Sequence, residues 1–357
     1  MMAATAGAID CDIHPSVPGI EALLPHMEPH WRDAVVQRGV HELETIAYPA
    51  RAPLTARPDW RPDHGRPAAD IDTIRAQALD PFGTSIAICN CLYGVQLLMS
   101  EDLAAAFATA VNRWVATELL DRDPRLRAAI VIPTQSPDLA VREIERWADD
   151  DRFVSVLMLV MDEMPLGRRF YWPIYAAAVE AGLALCIHAG STYKHPVTSV
   201  GWPSYLAEDY TAQAAGFHAV VTSLISEGVF AKFPDLVCVL AESGVTWLPA
   251  HLWRLTKFWR GLRAEVPWVV HTPAEIGRQH LRLTLQPFDA PTAPGLFERV
   301  MEHFGSDEML LFSTDYPHWQ FDGTAVLPDG IPAELARKIM VDNPRKAYPR
   351  LSKGGQA

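Results

Sequence analysis

The sequence has no long run of apolar residues. Among its 357 residues, the longest strongly apolar stretch is residues 154–161, which is eight residues long and includes Ser155. A helix that spans a bilayer needs about twenty apolar residues, so no transmembrane segment is predicted. The first residues, MMAATAGAID, have neither a basic start nor a long apolar stretch, so no signal peptide is indicated. We therefore expect a cytoplasmic protein with no membrane partner.

Cysteine and positive charge are also scarce. The five cysteines are an odd number scattered through apolar segments, which indicates reduced thiols in the core rather than disulfides. Lys and Arg number 31 against 43 for Asp and Glu, and this net charge of −12 argues against nucleic acid as a partner. No glycine-rich phosphate loop is present, so no nucleotide cofactor is implied. A small molecule is the expected substrate, and a homodimer or higher homo-oligomer is left open.

Short apolar runs recur along the chain and alternate with stretches of helical periodicity. Runs that are apolar throughout are typical of strands buried on both faces, as in parallel sheets. The helical stretches end at glycines such as Gly182 and Gly305, or begin at a cap such as Ser136. Eight strands alternating with helices predict one α/β domain over residues 1–357, a (β/α)8 TIM barrel. The predicted strands are residues 8–13, 85–91, 128–132, 155–160, 184–187, 237–240, 281–285 and 309–312.

Two stretches are too long to be ordinary barrel loops. Residues 15–80 contain nine prolines and few strand-like runs, so we expect a proline-rich insertion after strand 1 that forms a cap or an oligomer contact. Residues 190–212 are expected to form a second long loop, after strand 5. Loops beyond about fifteen residues in a compact domain are usually functional. Both leave the carboxyl ends of strands, where barrel enzymes place their active sites.

Acidic residues and histidines lie at the ends of four predicted strands. Asp12 and His14 end strand 1 and face the same side, because alternate residues of a strand share a face. His188 ends strand 5, Glu242 ends strand 6 and Asp315 follows strand 8. Two imidazoles with two carboxylates suit a divalent transition metal that keeps open positions for water or substrate.

Each of these residues also has a simpler interpretation. A polar residue directly after a strand is common as a helix cap or loop residue, and Asp10 in particular is suited to tying the end of strand 1. Convergence from four strands is harder to assign to chance. Because strands 1 and 8 are neighbours in a closed barrel, Asp12, His14 and Asp315 are expected to meet, with His188 across the mouth.

Several motifs together resemble a known superfamily over nearly the whole chain. They are Asp-x-His at 12–14, His-Ala-Gly at 188–190, the segments 228–236 and 242–249, Leu-Gln-Pro at 285–287, Ser-Thr-Asp-Tyr-Pro-His at 313–318 and Asn-Pro-Arg at 343–345. With these motifs the sequence resembles the amidohydrolase superfamily, in the branch that includes aminocarboxymuconate semialdehyde decarboxylase, γ-resorcylate decarboxylase and related hydrolases.

The resemblance implies a set of metal ligands. Asp12 and His14 match the strand-1 ligands, His188 matches the strand-5 histidine, and Asp315 matches the strand-8 aspartate that often also takes a proton from the metal-bound water. Several decarboxylases of the branch carry a histidine at the strand-6 position, where this sequence has Glu242. That departure leaves open whether Glu242 is a base or a ligand. One divalent metal is implied, with zinc as the first expectation and manganese second.

Three functions compete at this point. The first is hydrolysis of an amide, lactone or related carbonyl in a small, aromatic or unsaturated acid, with His188, Glu242 and Asp315 as catalytic groups. Glu242 favours it, because a carboxylate beside a metal-bound water is a natural general base. The alternative is non-oxidative, metal-dependent decarboxylation of an aromatic or unsaturated acid. The third is a metal-free binding barrel, which loss of metal binding would support.

Loop side chains are the candidates for substrate binding. Trp202 and Tyr205 from the strand-5 loop, and Trp319 after strand 8, are expected to line an apolar pocket. His218 and His318 are candidate polar contacts, with surface or capping roles equally open to them. The sequence does not name the substrate, because loop side chains determine it independently of the fold.

Overall fold

A computed structural model describes residues 7–43, 56–291, 293, 295–319, 321, 327 and 331–353 of the chain. Residues 44–55 of the predicted insertion lie outside this part. The five cysteines are all buried and unpaired, as expected for core thiols. Among the described residues, no helix is long and apolar enough to cross a membrane.

Eight parallel strands form one sheet in the order of the chain, and each contains or overlaps one of the predicted apolar runs. The two edge strands meet through backbone hydrogen bonds from Cys11 N to Phe312 O, at 2.9 Å, and from Asp315 N to Asp12 O, at 3.0 Å. The predicted TIM barrel is therefore confirmed. The strands are β1 (Ile9–Ile13), β2 (Ile86–Cys89), β3 (Leu126–Val131), β4 (Phe153–Met161), β5 (Ala184–Ser191), β6 (Cys238–Ala241), β7 (Leu281–Thr284) and β8 (Leu310–Leu311).

Helices surround the sheet and begin and end at recognisable signals. Ser136 is the N-cap expected before Pro137, although its side chain makes no capping hydrogen bond. The helices are α1 (Pro29–Gln37), α2 (Ile71–Ile74), α3 (Glu101–Val115), α4 (Pro137–Arg146), α5 (Trp172–Glu180), α6 (Leu206–Ser226), α7 (Val229–Lys232), α8 (Trp247–Leu262), α9 (Pro273–His280), α10 (Leu296–Phe304), α11 (Ala333–Arg337), α12 (Asn343–Ala347) and α13 (Pro349–Lys353).

The chain's last helices close one end of the barrel. Tyr348 and Leu351 pack with Ile9, Val154 and Val239, which lie at or near the first residues of their strands. The amino ends of the strands are therefore sealed by apolar side chains. The polar residues that follow the strands lie at the opposite end of the barrel, where the carboxyl ends of the strands meet.

The second long loop is shorter than expected. β5 continues to Ser191 and α6 begins at Leu206 rather than near Gln213, so only residues 192–205 connect them. The first turns of α6 have no apolar stripe that would mark them as helix in the sequence. They are stabilised by an N-terminal cap instead, in which the Glu208 carboxylate accepts hydrogen bonds from the Tyr205 and Ser204 N–H groups.

Half of the described part of the predicted insertion is helical. It contains α1, α2, a π-helical turn at Arg75–Leu79 and short 3-10 helices at Ile20–Ala22, Leu24–His26 and Pro58–Trp60. Trp60, Ile71 and Ile74 are buried in the main core. Whether the insertion acts as a cap or an oligomer contact stays a prediction.

Candidate metal and active site

The side chains predicted at the strand ends converge at the carboxyl end of the barrel. Asp12, His188 and Asp315 are fully buried, and His14 and Glu242 are nearly so. His14 Nε2 lies 3.2 Å from Asp12 Oδ1, 3.2 Å from Glu242 Oε1 and 3.0 Å from Asp315 Oδ1. His188 Nε2 lies 3.1 Å from Glu242 Oε1 and 3.5 Å from Asp12 Oδ2. All five predicted residues therefore share one site.

The site contains two overlapping groups of possible metal ligands. Asp12, His14, His188 and Glu242 form one, and His14, Glu242, Asp315 and His318 form the other. Glu242 thus belongs to both groups, whereas the predicted ligand Asp315 belongs to the second. This placement makes Glu242 as well situated for a ligand as the four residues expected from the resemblance.

Five buried side-chain atoms of these residues have no hydrogen bond of good geometry among the described residues. They are Asp12 Oδ2, His14 Nε2, His188 Nε2, Glu242 Oε1 and Asp315 Oδ2. Five buried polar atoms without a well-formed hydrogen bond are costly, because each loses its hydration. Oxygen and imidazole donors around one point are the ligands that zinc and manganese take. The residues present therefore fit a divalent metal.

Backbone carbonyls orient both of these histidines. His14 Nδ1 donates to the carbonyl oxygen of Asn90 at 3.0 Å, and His188 Nδ1 donates to that of Ala189 at 2.7 Å. Each bond places a proton on Nδ1 and leaves the Nε2 lone pair for a metal. Asn90 also donates from Nδ2 to Asp12 Oδ1 at 2.7 Å, so one residue after β2 supports both Asp12 and His14.

Sequence reasoning missed Asn90 and Thr284. Asn90 directly follows β2, and Thr284 ends β7, where its hydroxyl accepts a hydrogen bond from the Glu242 N–H at 3.0 Å. Both are buried polar residues at the carboxyl ends of strands, which is the signal that identified the other site residues. They escaped notice because amide and hydroxyl side chains are weak metal or acid–base candidates.

Asp10 ties the end of β1 to the segment after β8, which is the simpler of its two interpretations. Its carboxylate accepts hydrogen bonds from the Thr314 N–H at 3.0 Å and the Thr314 hydroxyl at 2.6 Å, and one from the Asp12 N–H at 3.2 Å. Burial raises the pKa of Asp10 to about 7, although these hydrogen bonds oppose the shift. Asp10 thus holds Asp12 and the strand-8 segment in register.

The backbone is strained at two site residues. Glu242 and Asp315 both have φ near +57°, in the left-handed region that non-glycine residues rarely adopt. Each such conformation costs about 1–3 kcal/mol and persists only where the surroundings enforce it. With these backbone angles, the Glu242 and Asp315 carboxylates lie 3.2 and 3.0 Å from His14 Nε2.

Carboxylates outweigh burial in setting the charge of the imidazoles. Burial disfavours the charged form of His188, but Glu242 and Asp12 raise its pKa to about 10. The same balance, with Asp12, Asp315 and Glu242 as neighbours, raises the pKa of His14 well above its usual value. Burial and the Glu242 carboxylate raise the pKa of Asp315 to about 6. Without a metal, protons on the histidines therefore balance the carboxylates at neutral pH.

His318 is the predicted substrate-binding residue that joins the site. Its Nδ1 lies 2.5 Å from Asp315 Oδ1 and 3.3 Å from Glu242 Oε1, and its ring stacks on His14 with the ring centroids 4.5 Å apart. Burial opposes its charged form, but Asp315 raises the pKa of His318 to about 9. The His318 ring is therefore in its positively charged imidazolium form at neutral pH.

The other predicted substrate contacts lie outside the two ligand groups. His218 is in α6, where its ring packs against Trp247 and His251 with centroids 4.6 and 4.7 Å away. Trp202 lines a surface cavity of about 570 Å³ beside the start of α6, and its side chain is 59% exposed. Tyr205 and Trp319 are 72% and 48% exposed. A role for these four in substrate binding stays a prediction.

Comparison with known proteins gives the family. A family model described as Amidohydrolase matches residues 9–350, nearly the whole chain. This chain belongs to the amidohydrolase family. The resemblance inferred from the motifs is confirmed, and the chain is an enzyme of the amidohydrolase superfamily.

Named relatives of this amidohydrolase are mostly decarboxylases. A gamma-resorcylate decarboxylase of Polaromonas sp. (strain JS666 / ATCC BAA-500) is 24% identical over 283 residues, which cover 75% of this chain and 83% of the relative. A 2-keto-4-carboxy-3-hexenedioate hydratase of Sphingobium sp. (strain NBRC 103272 / SYK-6) is 24% identical over 248 residues, 66% of this chain and 65% of the relative.

Solved structures share the fold at low sequence identity. The 5-carboxyvanillate decarboxylase of Sphingomonas paucimobilis has a TM-score of 0.70 and 20% identity, covering 96% of this chain and 99% of that one. A dihydroxybenzoic acid decarboxylase of Polaromonas sp. JS666, with bound manganese and 2-nitroresorcinol, has a TM-score of 0.68 and 18% identity, covering 99% and 98%. The comparisons support the decarboxylase alternative better than the hydrolase expected first.

Proposed function

We propose that this amidohydrolase is a metal-dependent, non-oxidative decarboxylase of a small aromatic or unsaturated carboxylic acid. The observation that carries the proposal is the hydrogen bond of 2.5 Å between Asp315 and His318 at the edge of the ligand cluster. It places a protonated imidazole beside the site in a chain whose relatives include gamma-resorcylate decarboxylases. Decarboxylation needs such an acid, because a carbon atom must gain a proton as carbon dioxide leaves.

The proposed metal ligands are Asp12, His14, His188 and Asp315, with Glu242 Oε1 as a further donor. A divalent metal bound there would bind the substrate carboxylate and a neighbouring oxygen, and would neutralise part of their charge. Manganese now precedes zinc in this proposal, because a neighbour of the same fold holds manganese and three of the five donors are carboxylates.

The proton-transfer step follows from the position of His318. Its Nδ1 hydrogen bond to Asp315 leaves the other ring nitrogen for the substrate. The Asp315–His318 pair gives a proton to the carbon that bears the carboxylate, and that carbon–carbon bond then breaks. The bonding electrons return to the ring or double bond, carbon dioxide leaves, and solvent restores the proton to the pair. No oxidant or reductant is needed.

The test is decarboxylation by manganese-loaded protein in deuterated water. We expect 2,6-dihydroxybenzoate or 5-carboxyvanillate to release carbon dioxide and to gain one deuterium at the vacated carbon. His318→Gln should lower kcat by about a hundredfold or more, since a lost general acid typically costs 10²–10⁴ in rate. His280→Gln is the matched control, because His280 is also buried but donates to Leu236 O elsewhere in the barrel. If no acid in a panel of hydroxylated aromatic and unsaturated acids loses its carboxylate, the proposal is wrong.

Addition of water is the second candidate function. It is favoured by Glu242, which occupies the strand-6 position and whose Oε1 has no hydrogen bond of good geometry, and by the hydratase among the relatives. In that case Glu242 takes a proton from the attacking water, and hydration or hydrolysis follows instead of carbon dioxide release. The wild-type protein would then yield a hydrated or hydrolysed product, and Glu242→Gln would abolish turnover.

A further inference from the structure

The segment after β8 carries two site residues on a strained turn. Asp315 has φ near +57°, and its neighbours on both sides are held by side chains from elsewhere in the chain. On the amino side, Asp10 accepts two hydrogen bonds from Thr314. On the carboxy-terminal side of Asp315, the backbone is held by residues from the region inserted between β1 and β2.

Ala56 and Arg57 of that region pair with the backbone that follows Asp315. Ala56 forms an antiparallel bridge with His318, and the Arg57 N–H donates to the Pro317 carbonyl at 2.8 Å. These contacts lie within three residues of the Asp315 carboxylate. They fix the backbone from which the His318 ring extends.

Arg57 and Trp60 form a layered stack over the same backbone. The Arg57 guanidinium lies 3.6 Å from the centre of the Trp60 ring, and the Asp59 carboxylate accepts two of its N–H groups at 2.6 Å. The Trp60 ring contacts Tyr316 edge-on, at 4.9 Å between centroids, and stacks on Phe321 at 6.0 Å. Trp60, Tyr316 and Phe321 are all buried.

A hydrogen bond from a second part of the inserted region completes the contact. The Tyr316 hydroxyl donates to Gln77 Oε1 at 2.7 Å, and Gln77 lies in the turn that follows α2. Tyr316 is thus fixed by Trp60 on one side and Gln77 on another. Its backbone carbonyl in turn accepts the His14 N–H at 2.7 Å, which links these contacts to a ligand that follows β1.

We propose that Arg57 and Trp60, with Gln77, are positioning residues that hold the Asp315 turn and thereby determine how tightly the site binds its metal. The inference rests on the metal site proposed above. Loss of the stack frees the turn to relax towards ordinary backbone angles, which moves the Asp315 carboxylate and the His318 ring. Residues that orient metal ligands typically contribute tenfold to hundredfold to metal affinity.

The test uses the full chain and two readouts that need no substrate. The first is the Kd for Mn²⁺, measured by competition with a chelator, and the second is amide hydrogen exchange in peptides covering residues 313–319. We expect Arg57→Ala and Trp60→Leu to raise the Kd about tenfold or more and to speed exchange at Asp315 and His318. Trp60→Phe keeps an aromatic ring in the stack and should retain most of the wild-type Mn²⁺ affinity and slow amide exchange.

Trp147→Leu is the matched control for a merely structural effect. Trp147 packs against Phe153 at 4.6 Å and donates to Glu143, far along the chain from the strand-8 segment. It should lower the melting temperature without changing the Kd or the exchange of residues 313–319. If Arg57→Ala and Trp60→Leu behave like Trp147→Leu, the positioning role is wrong.

Failure of the metal site would be distinguishable from failure of this inference. A wild-type protein that binds no Mn²⁺ or Zn²⁺ overturns the metal-dependent function and the affinity effect together. Hydrogen exchange then tests by itself whether Arg57 and Trp60 hold the Asp315 turn. Faster exchange in the Arg57 and Trp60 variants supports that role, and unchanged exchange refutes it.

Discussion

Metal binding to this site should release protons, and its affinity should therefore rise steeply with pH. In the metal-free protein the carboxylates keep the imidazoles of His14 and His188 protonated at neutral pH, with the pKa of His188 at about 10 and that of His14 raised well above its usual value. A metal needs the Nε2 lone pair of each ring. Binding must therefore displace one proton from His14 and one from His188.

The magnitude follows from the number of protons. Each proton released adds one unit to the slope of log affinity against pH, which is about 1.4 kcal/mol per pH unit. Two imidazoles therefore give about 2.7 kcal/mol, or a hundredfold in Kd, for each pH unit from about 6.5 to 8. The lower bound lies above the pKa of about 6 that burial and Glu242 give Asp315, so this carboxylate contributes little.

Calorimetry in two buffers of different ionisation enthalpy measures the protons directly, and chelator competition at pH 6.5, 7 and 8 measures the slope. His188→Gln should reduce the slope to about one, because one displaced proton is lost. His218→Gln is the control, since burial lowers the pKa of His218 and the residue lies outside both groups of possible ligands. Mn²⁺ affinity independent of pH would refute the assignment of protonated imidazoles as ligands.

Three further predictions concern the same end of the barrel. In the metal-free protein, the raised pKa of His188 contributes stability that is complete below about pH 6.5 and is lost as pH rises towards 10, so melting temperature should fall from pH 7 to 9.5. Metal-loaded protein should not show this fall, and equal falls in both forms would contradict the cause. Asn90→Ala removes the Nδ2 bond to Asp12 and should weaken Mn²⁺ binding about tenfold to hundredfold by chelator competition, with Asn112→Ala as a control away from the site. Asp10→Ala leaves the donors of Thr314 and Asp12 unpaired and should lower the free energy of unfolding by about 3 kcal/mol in urea, whereas a loss below about 1 kcal/mol would show that water replaces the carboxylate.

The fold could be predicted from the sequence because its strands are buried on both faces. Continuous apolar runs such as those in β4 and β5 are typical of parallel strands covered by helices, and their alternation with helical stretches leaves few topologies. Boundaries were harder, as α6 shows. Its first turns depend on Glu208 as a cap and not on a buried stripe, so periodicity placed its start too late.

Much of the site could also be predicted from the sequence. Asp12 and His14 had to share a face, because strand residues alternate, and barrel closure had to bring Asp315 beside them. Asn90 and Thr284 were missed because their importance lies in what they orient. A hydrogen bond from Asn90 to Asp12 depends on the register of β1 against β2, which no local pattern encodes.

By itself, the sequence determined which side chains stand at the strand ends, since that depends only on local periodicity and on where each apolar run stops. Only the tertiary structure decided that Glu242 Oε1 lies within 3.3 Å of three imidazole nitrogens, and that Arg57 and Trp60 brace the turn of Asp315. Those contacts join residues that lie far apart along the chain. Their distances follow from strand register, barrel closure and two left-handed backbone angles, all of which depend on the packing of the whole barrel.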